Sequence, residues 1–296
     1  MLPAWMKTWW HEFGAGTELF LRAVRQNDTI IGIVPLMQNE STVSFVGSVN
    51  VCDYLDFIVA PGKENVFFTL LLDYLQQKDI TTLDLKALRP DSITLTTLIP
   101  MCKERGYKIT FEEEGVSLEL DLPSTWEDYL SMLDKKQRHE VKRKLRRLFE
   151  LDNVEYRYID NIGETDKLIG NFLSLFPLSR EDKANFMTPH MVRFFKSLAT
   201  AMAEIEVLRF GLLELNSQLI AMIMGFDYNE TTYLYNSAYD PQYSNLSAGV
   251  LSKVLCLKES IESGRKKWDF LKGGEQYKYH IGGQEISLRN CNIRMN

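Results

Sequence analysis

Cysteine and histidine are scarce in this chain. Its 296 residues include four of each, and Cys52, Cys102, Cys256 and Cys291 are widely spaced with no CxxC pair. Only His280 and Cys291 approach one another along the sequence, so the ligand spacing of a zinc site is missing and no metal is expected. Unpaired thiols in this number read as reduced cysteines of a cytoplasmic protein. Long apolar runs are missing too. Residues 30–37 form one of the longest and are broken by Gly32 and Pro35. A membrane-spanning helix needs ~20 apolar residues, so no integral membrane segment is expected. The opening MLPAWMKTWWHEFG has no basic head followed by an apolar stretch, which argues against a secretory leader. Nor is there an overall excess of positive charge to coat a nucleic acid, because the net charge is −6.

What is present is an ordinary globular composition, 45% hydrophobic and 25% charged. At ~150 residues per domain the length accommodates two domains. The charge is uneven. Residues 135–147, KKQRHEVKRKLRR, hold eight Lys/Arg against Glu140; that +7, within a total of −6, leaves −13 for the rest. An acidic body with one basic segment allows one local anion site.

Hydrophobic patterning gives an alternation of strands and helices. In the first part, residues 18–26 and 29–37 read as a hairpin about Asn27-Asp28, and residues 42–46 as a third strand. Residues 63–77 have a helical spacing of Val66, Phe67, Leu70, Leu71, Tyr74 and Leu75, followed by a strand at 81–85. Asp91 is placed to cap a helix that Gly106 ends. Residues 107–111 and 116–120 read as a second hairpin. Pro123-Ser124 then mark a junction, giving domains 1–122 and 123–296. In the second part, helices at 125–133 and 135–151 precede a strand at 154–159 and a mostly helical stretch, 164–203. Strands follow at 206–215, 218–228 and 231–239, then a helix at 247–263 and strands at 267–271 and 285–293. With an offset of 189 residues the turn Asn27-Asp28 falls on Asn216-Ser217 and Thr42 on Thr231. With four residues deleted, Leu83-Asp84-Leu85 falls on Trp268-Asp269-Phe270. Agreement of element order and turn position favours an internal duplication.

The second half carries the chemistry. Strand 231–239 leads through DPQYSN into Leu246-Ser247-Ala248-Gly249, the start of a helix. Small residues there let a ligand approach backbone N–H groups that have no helical partner, a natural pyrophosphate position. The plainer reading makes Ser247 an N-cap and Gly249 a packing contact. An unpaired edge of the strand 233–239 would also let an amide-bearing ligand such as pantetheine add as an extra strand.

These residues make the sequence recognisable. Residues 211–215 with the Asn216-Ser217 turn, Ile220-Ala221, AYDPQYSNLSAG (238–249), the Gly264 stop and WDFLKGGEQYK (268–278) resemble the GNAT acyltransferase superfamily. The likeness is greatest to the branch of CelD-type proteins and Fem aminoacyl ligases, and the basic helix and the strand pair after Trp9-Trp10 extend it over most of the chain. The resemblance implies an α/β fold with mixed sheets, two tandem GNAT-like domains packed side by side, and the acyl-donor site in the second. It implies N-acyl transfer, of acetyl above all, from acetyl-CoA or another acyl-CoA bound at Ala238, Tyr239, Ser247, Ala248 and Gly249. The acceptor would be a small-molecule or sugar-linked amine. The family's Gln/Arg-x-x-Gly-x-Gly/Ala phosphate motif is absent in strict form, with residues 244–249 in its place. The Fem alternative is aminoacyl transfer from aminoacyl-tRNA to a cell-envelope precursor; a third is a GNAT-shaped binding module without turnover.

Acyl transfer to an amine requires the amine to be deprotonated and positioned, and the leaving group to be protonated. The segment GGEQYKYH (273–280) offers Glu275 to accept a proton, Tyr277 to donate one, and Lys278 or His280 to hold an anionic acceptor. Glu275 and Lys278 read equally well as a solvated pair. Asp269 reads as structural before catalytic, and Tyr233, Tyr235 and Tyr239 as core before pocket wall. The basic helix has three readings: a solvated face, a contact to CoA phosphates, or a contact to tRNA or an anionic membrane. In the first domain Asp53, Tyr54 and Asp56 could touch the acceptor, but a structural role ranks first.

Overall fold

The computed structural model describes residues 2–160 and 162–295, without the side chain of Ile162. The chain packs as two compact units, Met1–Val116 with Ile286–Asn296, and Ser117–Glu285.

The first unit begins with α1 (Pro3–Phe13), which the sequence patterning did not disclose, and the hairpin β1 (Glu18–Gln26) and β2 (Thr29–Asn39). Asn27 and Asp28 both take positive φ, 47° and 64°, as a two-residue hairpin turn of primed type demands. Next come β3 (Thr42–Phe45), β4 (Ile58–Val59), α2 (Glu64–Gln77), β5 (Thr82–Leu88), a π-helical turn at Thr94–Leu98, α3 (Ile99–Glu104) and β6 (Lys108–Asp121). The sheet order is β1-β2-β3-β5, then the chain's last strand, then β6, with β4 against β2. In α2 the buried stripe is Phe67, Phe68, Leu71, Leu72 and Leu75. Val66 and Leu70 are exposed, so the core-facing side is rotated from the expected one. The second expected hairpin is instead the single strand β6; the segment Glu112–Gly115 continues in extended form. Asp91 caps no helix. It pairs with Arg89, and the N–H groups of Ile93 and Thr94 are received by Asp56.

The second unit takes in the last part of β6, then α4 (Trp126–Met132), α5 (Lys135–Phe149), β7 (Val154–Ile159), α6 (Thr165–Ser179), α7 (Glu181–Phe186) and α8 (Pro189–Glu204). After them come β8 (Leu208–Leu215), β9 (Gln218–Tyr228), β10 (Thr231–Tyr239), a 3₁₀ turn Pro241–Leu246, α9 (Ala248–Glu262), β11 (Lys267–Lys272), α10 (Gln276–His280) and β12 (Gln284–Arg294). The sheet order is β6-β11-β10-β9-β8-β7. Two boundaries differ from the sequence reading. The units divide at 116/117 rather than 122/123, and most of the last strand joins the first unit because β12 pairs with β5.

Both units contain a hairpin, a third strand, a helix and a fourth strand parallel to the third. In the first, Thr42 stands opposite Thr82. In the second, Thr231 stands opposite Lys267, the same register under the 189-residue offset and four-residue deletion. β10 and β11 pair only from Thr231↔Lys267 to Tyr233↔Asp269. Both strands then shift register, β10 between Tyr233 and Asn236 and β11 between Asp269 and Leu271. Leu271 takes φ 57°, and its N–H donates to Asp269 Oδ1 at 2.7 Å. These irregularities bend both strands where their pairing ends, and β11 runs on from its bulge into the turn that carries the candidate site. Asp269 is buried and holds the bulge, the structural role ranked first for it.

Candidate active site

Three helices, α5, α9 and α10, and the turn after β11 build the candidate site. From β11, the chain turns through Gly273 (φ 111°) into α10. Lys278, 2% exposed, donates to the carbonyls of Leu271, Lys272 and Gly273 at 3.2, 2.8 and 2.9 Å. It also meets Glu275 Oε2 at 2.9 Å. All the donors of this ammonium are engaged, so Lys278 ties off the end of β11 and fixes Glu275. That corrects its reading as an acceptor-binding group. Gly273 is needed here: a Cβ on it would come within 2.5 Å of Glu275 Oε2. Burial raises the Glu275 carboxyl, but Lys278, by charge and hydrogen bond, outweighs burial and holds it below the ordinary range. Glu275 is therefore a fixed carboxylate and a weak proton acceptor.

Tyr277 differs. Burial, reinforced by the Glu275 carboxylate, pushes its phenol up, so it stays protonated. Its hydroxyl makes no hydrogen bond to another described residue. The ring lies under the ammonium of Lys253, 4.7 Å from the centroid. Tyr277 also walls a cavity of about 500 Å³. The other walls come from Gln137, Val141 and Lys144 of α5, and from Val250, Leu251 and Val254 of α9. His280, exposed, stands at this cavity as well.

Helix α5 reaches that position through its cap. Asp134 accepts from the Gln137 N–H at 2.8 Å, and Gln137 Oε1 accepts from the Asp134 N–H at 3.3 Å. The Gln137 amide also donates to the Tyr279 carbonyl at 3.3 Å. Val141 and Leu148 are buried. Lys136 and Lys144 face the cavity, while Lys135, Lys142, Arg143, Arg146 and Arg147 are exposed. Glu140 accepts from Arg143 at 2.9 and 2.8 Å. That bond, with Lys144 adding to it, keeps its carboxyl down at about 2.

The five residues expected at the acyl donor fare differently. Ala238 and Ala248 are buried core residues. Tyr239 is closed by Ser179, whose hydroxyl accepts from its N–H at 2.8 Å and donates to its carbonyl at 3.1 Å. One step along the same edge of β10, Lys183 donates to the Ser237 carbonyl. At Ser237 and Tyr239 the strand edge expected for pantetheine is thus occupied by side chains of α6 and α7. Ser247 stands at the N-cap position of α9 with φ 58°, but its hydroxyl makes no cap hydrogen bond. Gly249 has a packing role, because a Cβ on it would lie 2.8 Å from the Tyr239 ring. The part of α9 that lines the cavity starts one residue later, at Val250. Tyr235 is core, packed on Phe195 and Phe226.

Sequence reasoning missed Lys253, Lys183 and Ser179. Lys253 left one signal, a lone lysine inside the otherwise apolar VLSKVLCL. Ser179 and Lys183 left none, because they meet β10 only through the tertiary fold.

Residues 135–279 match the family model described as Acetyltransferase (GNAT) domain. This stretch is a GNAT domain. It starts at the first residue of α5 and ends within α10, so both cavity walls belong to it. No curated protein matches the chain by sequence. Among solved structures, FemX is similar with a TM-score of 0.66 and 10% identity, covering 98% of this chain and 90% of that one. L-PGS from Bacillus licheniformis is similar with a TM-score of 0.57 and 8% identity, covering 98% and 91%. A tandem GNAT protein from the clavulanic acid biosynthesis pathway has a TM-score of 0.50 and 10% identity, covering 98% and 87%. The fold is therefore the mixed α/β arrangement of two GNAT-like domains in tandem, as the resemblance implied. No helix of the described residues is long and apolar enough to cross a membrane, and no group of metal-ligating side chains is found among them.

Proposed function

We propose that the protein is an N-acyltransferase in which an activated acyl group, carried on a phosphate-bearing donor, lies in the cavity between α5 and α9. The acceptor's amine nitrogen attacks the acyl carbon. A C–N bond forms, the C–S or C–O bond to the carrier breaks, and Tyr277 gives its proton to the departing atom. The amine's proton leaves to solvent and the phenol is reprotonated. The observation that carries this reading is Tyr277 itself: a protonated hydroxyl without a hydrogen-bond partner among the described residues, on the wall of a cavity whose opposite wall is the basic helix. Lys136 and Lys144 would meet the donor's phosphates. Glu275 and Lys278 hold the turn that aims Tyr277 and take no proton.

Acyl-CoA is the donor that the GNAT domain model brings to mind, with an amine acceptor of small-molecule or sugar-linked kind and a cytoplasmic setting. A specific observation favours aminoacyl-tRNA. Pantetheine amides pair with the free edge of β10, and Ser179 and Lys183 already hold its groups at Tyr239 and Ser237. A nucleotide ester needs no such pairing, and the structural likeness to FemX supports the Fem-like branch. The deciding experiment gives purified protein either acetyl-CoA or aminoacyl-tRNA with a panel of amines, and follows thiol release and deacylation. Loss of neither donor above the blank, with no binding of either, would sink acyl transfer and leave a GNAT-shaped binding module.

A further inference from the structure

Two cations in the GNAT domain are short of acceptors. Lys253 is 5% exposed, yet its ammonium finds a single oxygen among the described residues, the Gly249 carbonyl in the first turn of α9. Lys183, half-buried on α7, likewise finds one, the Ser237 carbonyl. Each ammonium carries three donors. Aromatic rings supply part of the remainder: Tyr277 lies 4.7 Å from Lys253 and Phe176 4.5 Å from Lys183. A ring face offsets charge without accepting the directed hydrogen bonds. The carboxylate whose field reaches both amines is Glu275, and Lys278 already holds it.

Burial accordingly pulls both amines down, Lys253 to about 7 with Lys183 adding to the effect, and Lys183 to about 8 with Arg180 adding to it. A buried charge without partners is costly. Each amine therefore either gives up its proton or gains an acceptor from outside the chain. The nearby start of α9 adds its positive dipole end.

From this shortage of acceptors we infer that Lys253 and Lys183 form a binding position for an oxyanion, the carboxylate or phosphate group of a substrate, next to Tyr277. The oxyanion supplies the missing acceptors to both ammonium groups and keeps them charged. A substrate held here presents its reacting centre to the face of α10 that carries the phenol. The specificity that follows is for a substrate with an anionic group close to the reacting atoms, rather than for a plain amine. That the anion belongs to a substrate rests on the acyl-transfer reading; the existence of the site does not.

The test uses the whole chain and two probes, inorganic phosphate and acetate, against sodium chloride at equal ionic strength. Binding is read by thermal shift and calorimetry. Phosphate, acetate or both should raise the melting temperature of the wild type beyond chloride. Lys253→Met and Lys183→Met should each weaken that response at least tenfold, while Lys253→Arg keeps most of it and Lys142→Met on the exposed face of α5 keeps all. A response to one probe alone identifies the group as phosphate or carboxylate. Circular dichroism verifies folding, and if methionine at 253 unfolds the chain, the half-buried Lys183→Met carries the test alone. A wild type that answers neither probe beyond chloride overturns the inference, and so does an undiminished response in the folded methionine variants. Because binding is measured without turnover, a bound anion with no acyl transfer would remove the functional reading and leave the site standing.

Discussion

A charge packed beside the third strand is held in opposite ways in the two units. In the first, Asp56 sits in the loop that leads from β3, and its carboxylate is saturated by its own chain. It accepts from the N–H groups of Phe57, Ile93 and Thr94 at 3.0, 2.8 and 3.2 Å and from the Thr94 hydroxyl at 2.6 Å. Tyr54 is covered by the Arg89 guanidinium, 5.0 Å from its ring. In the second unit Lys183 of α7 donates to the Ser237 carbonyl of β10 and Lys253 of α9 to the Gly249 carbonyl, one oxygen each among the described residues. A saturated buried charge is a structural device. A starved one is where the oxyanion inferred above would bind. The charge packed against this supersecondary unit is thus satisfied by the chain in one half and short of acceptors in the other.

The largest expected effect bears on the half with the starved cations. Tyr277→Phe should lower kcat by about 10²–10⁴-fold, the usual range for a positioned proton donor, while KM and melting temperature stay close to wild type. A parallel loss of binding would recast the phenol as a contact residue. Next in size is the half with the saturated carboxylate. Asp56→Ala strips several N–H donors of their acceptor, which costs about 3 kcal/mol in a denaturant titration, with no change in kcat. A neutral Asp56→Ala would erase the contrast between the two units. Gly249→Ala should follow at about 1–3 kcal/mol, because its Cβ would press on the Tyr239 ring. If the glycine instead serves a bound phosphate, stability is kept and donor binding alone suffers.

Lys253 gives a comparison that runs the other way from Asp56. Replacing a starved buried ammonium by Lys253→Met is expected to be neutral or stabilising near pH 7. The groups that face it are Lys183, Glu275, Lys278 and Cys256, together with the Tyr277 ring. Burial depresses its folded-state value to about 7, so between there and the ordinary lysine range the unfolded chain binds more protons. Stability should then rise with pH through that window, by up to about 1.4 kcal/mol per pH unit. Lys253→Met should flatten the rise. Urea midpoints of both proteins from pH 6.5 to 9.5 check it, and parallel curves would refute it.

Much of this contrast was legible in the sequence, and the remainder was lost for identifiable reasons. Turns dictated by local chemistry were readable: Asn27-Asp28 and Asn216-Ser217 both take the paired positive φ their residues favour. So was the motif from residue 238 to 278, which carried the GNAT resemblance. Interactions between residues distant in sequence were not. Asp91 was the nearest capping residue to the helix near Thr94, yet Asp56, some 38 positions upstream, takes that role. Glu112–Gly115 has the composition of a turn, but the sheet draws it into β6. The open edge of β10 followed from strand order alone; that Ser179 and Lys183 hold its groups at Tyr239 and Ser237 depends on how α6 and α7 pack. Lys278 looked like a ligand group because its spacing from Glu275 was visible, whereas the three carbonyls that consume it are set by the bulge at Leu271.

The smallest effect concerns charges that are neither saturated nor starved. Arg146 and Arg147 lie on the exposed face of α5, and Arg146 meets Glu150 at 3.5 Å with both side chains well exposed. Such a pair contributes little to stability, so the double change Arg146→Gln with Arg147→Gln should leave the denaturation midpoint within about 0.5 kcal/mol. Its consequence belongs to the donor. If these arginines meet phosphates along a nucleic-acid carrier, the salt dependence of donor binding should weaken by about one log-log unit for each contact removed. CoA held only by Lys136 and Lys144 would bind with its salt dependence unchanged. The candidate site and the basic face would then be two parts of one aminoacyl-tRNA surface in the first outcome, and separate features in the second.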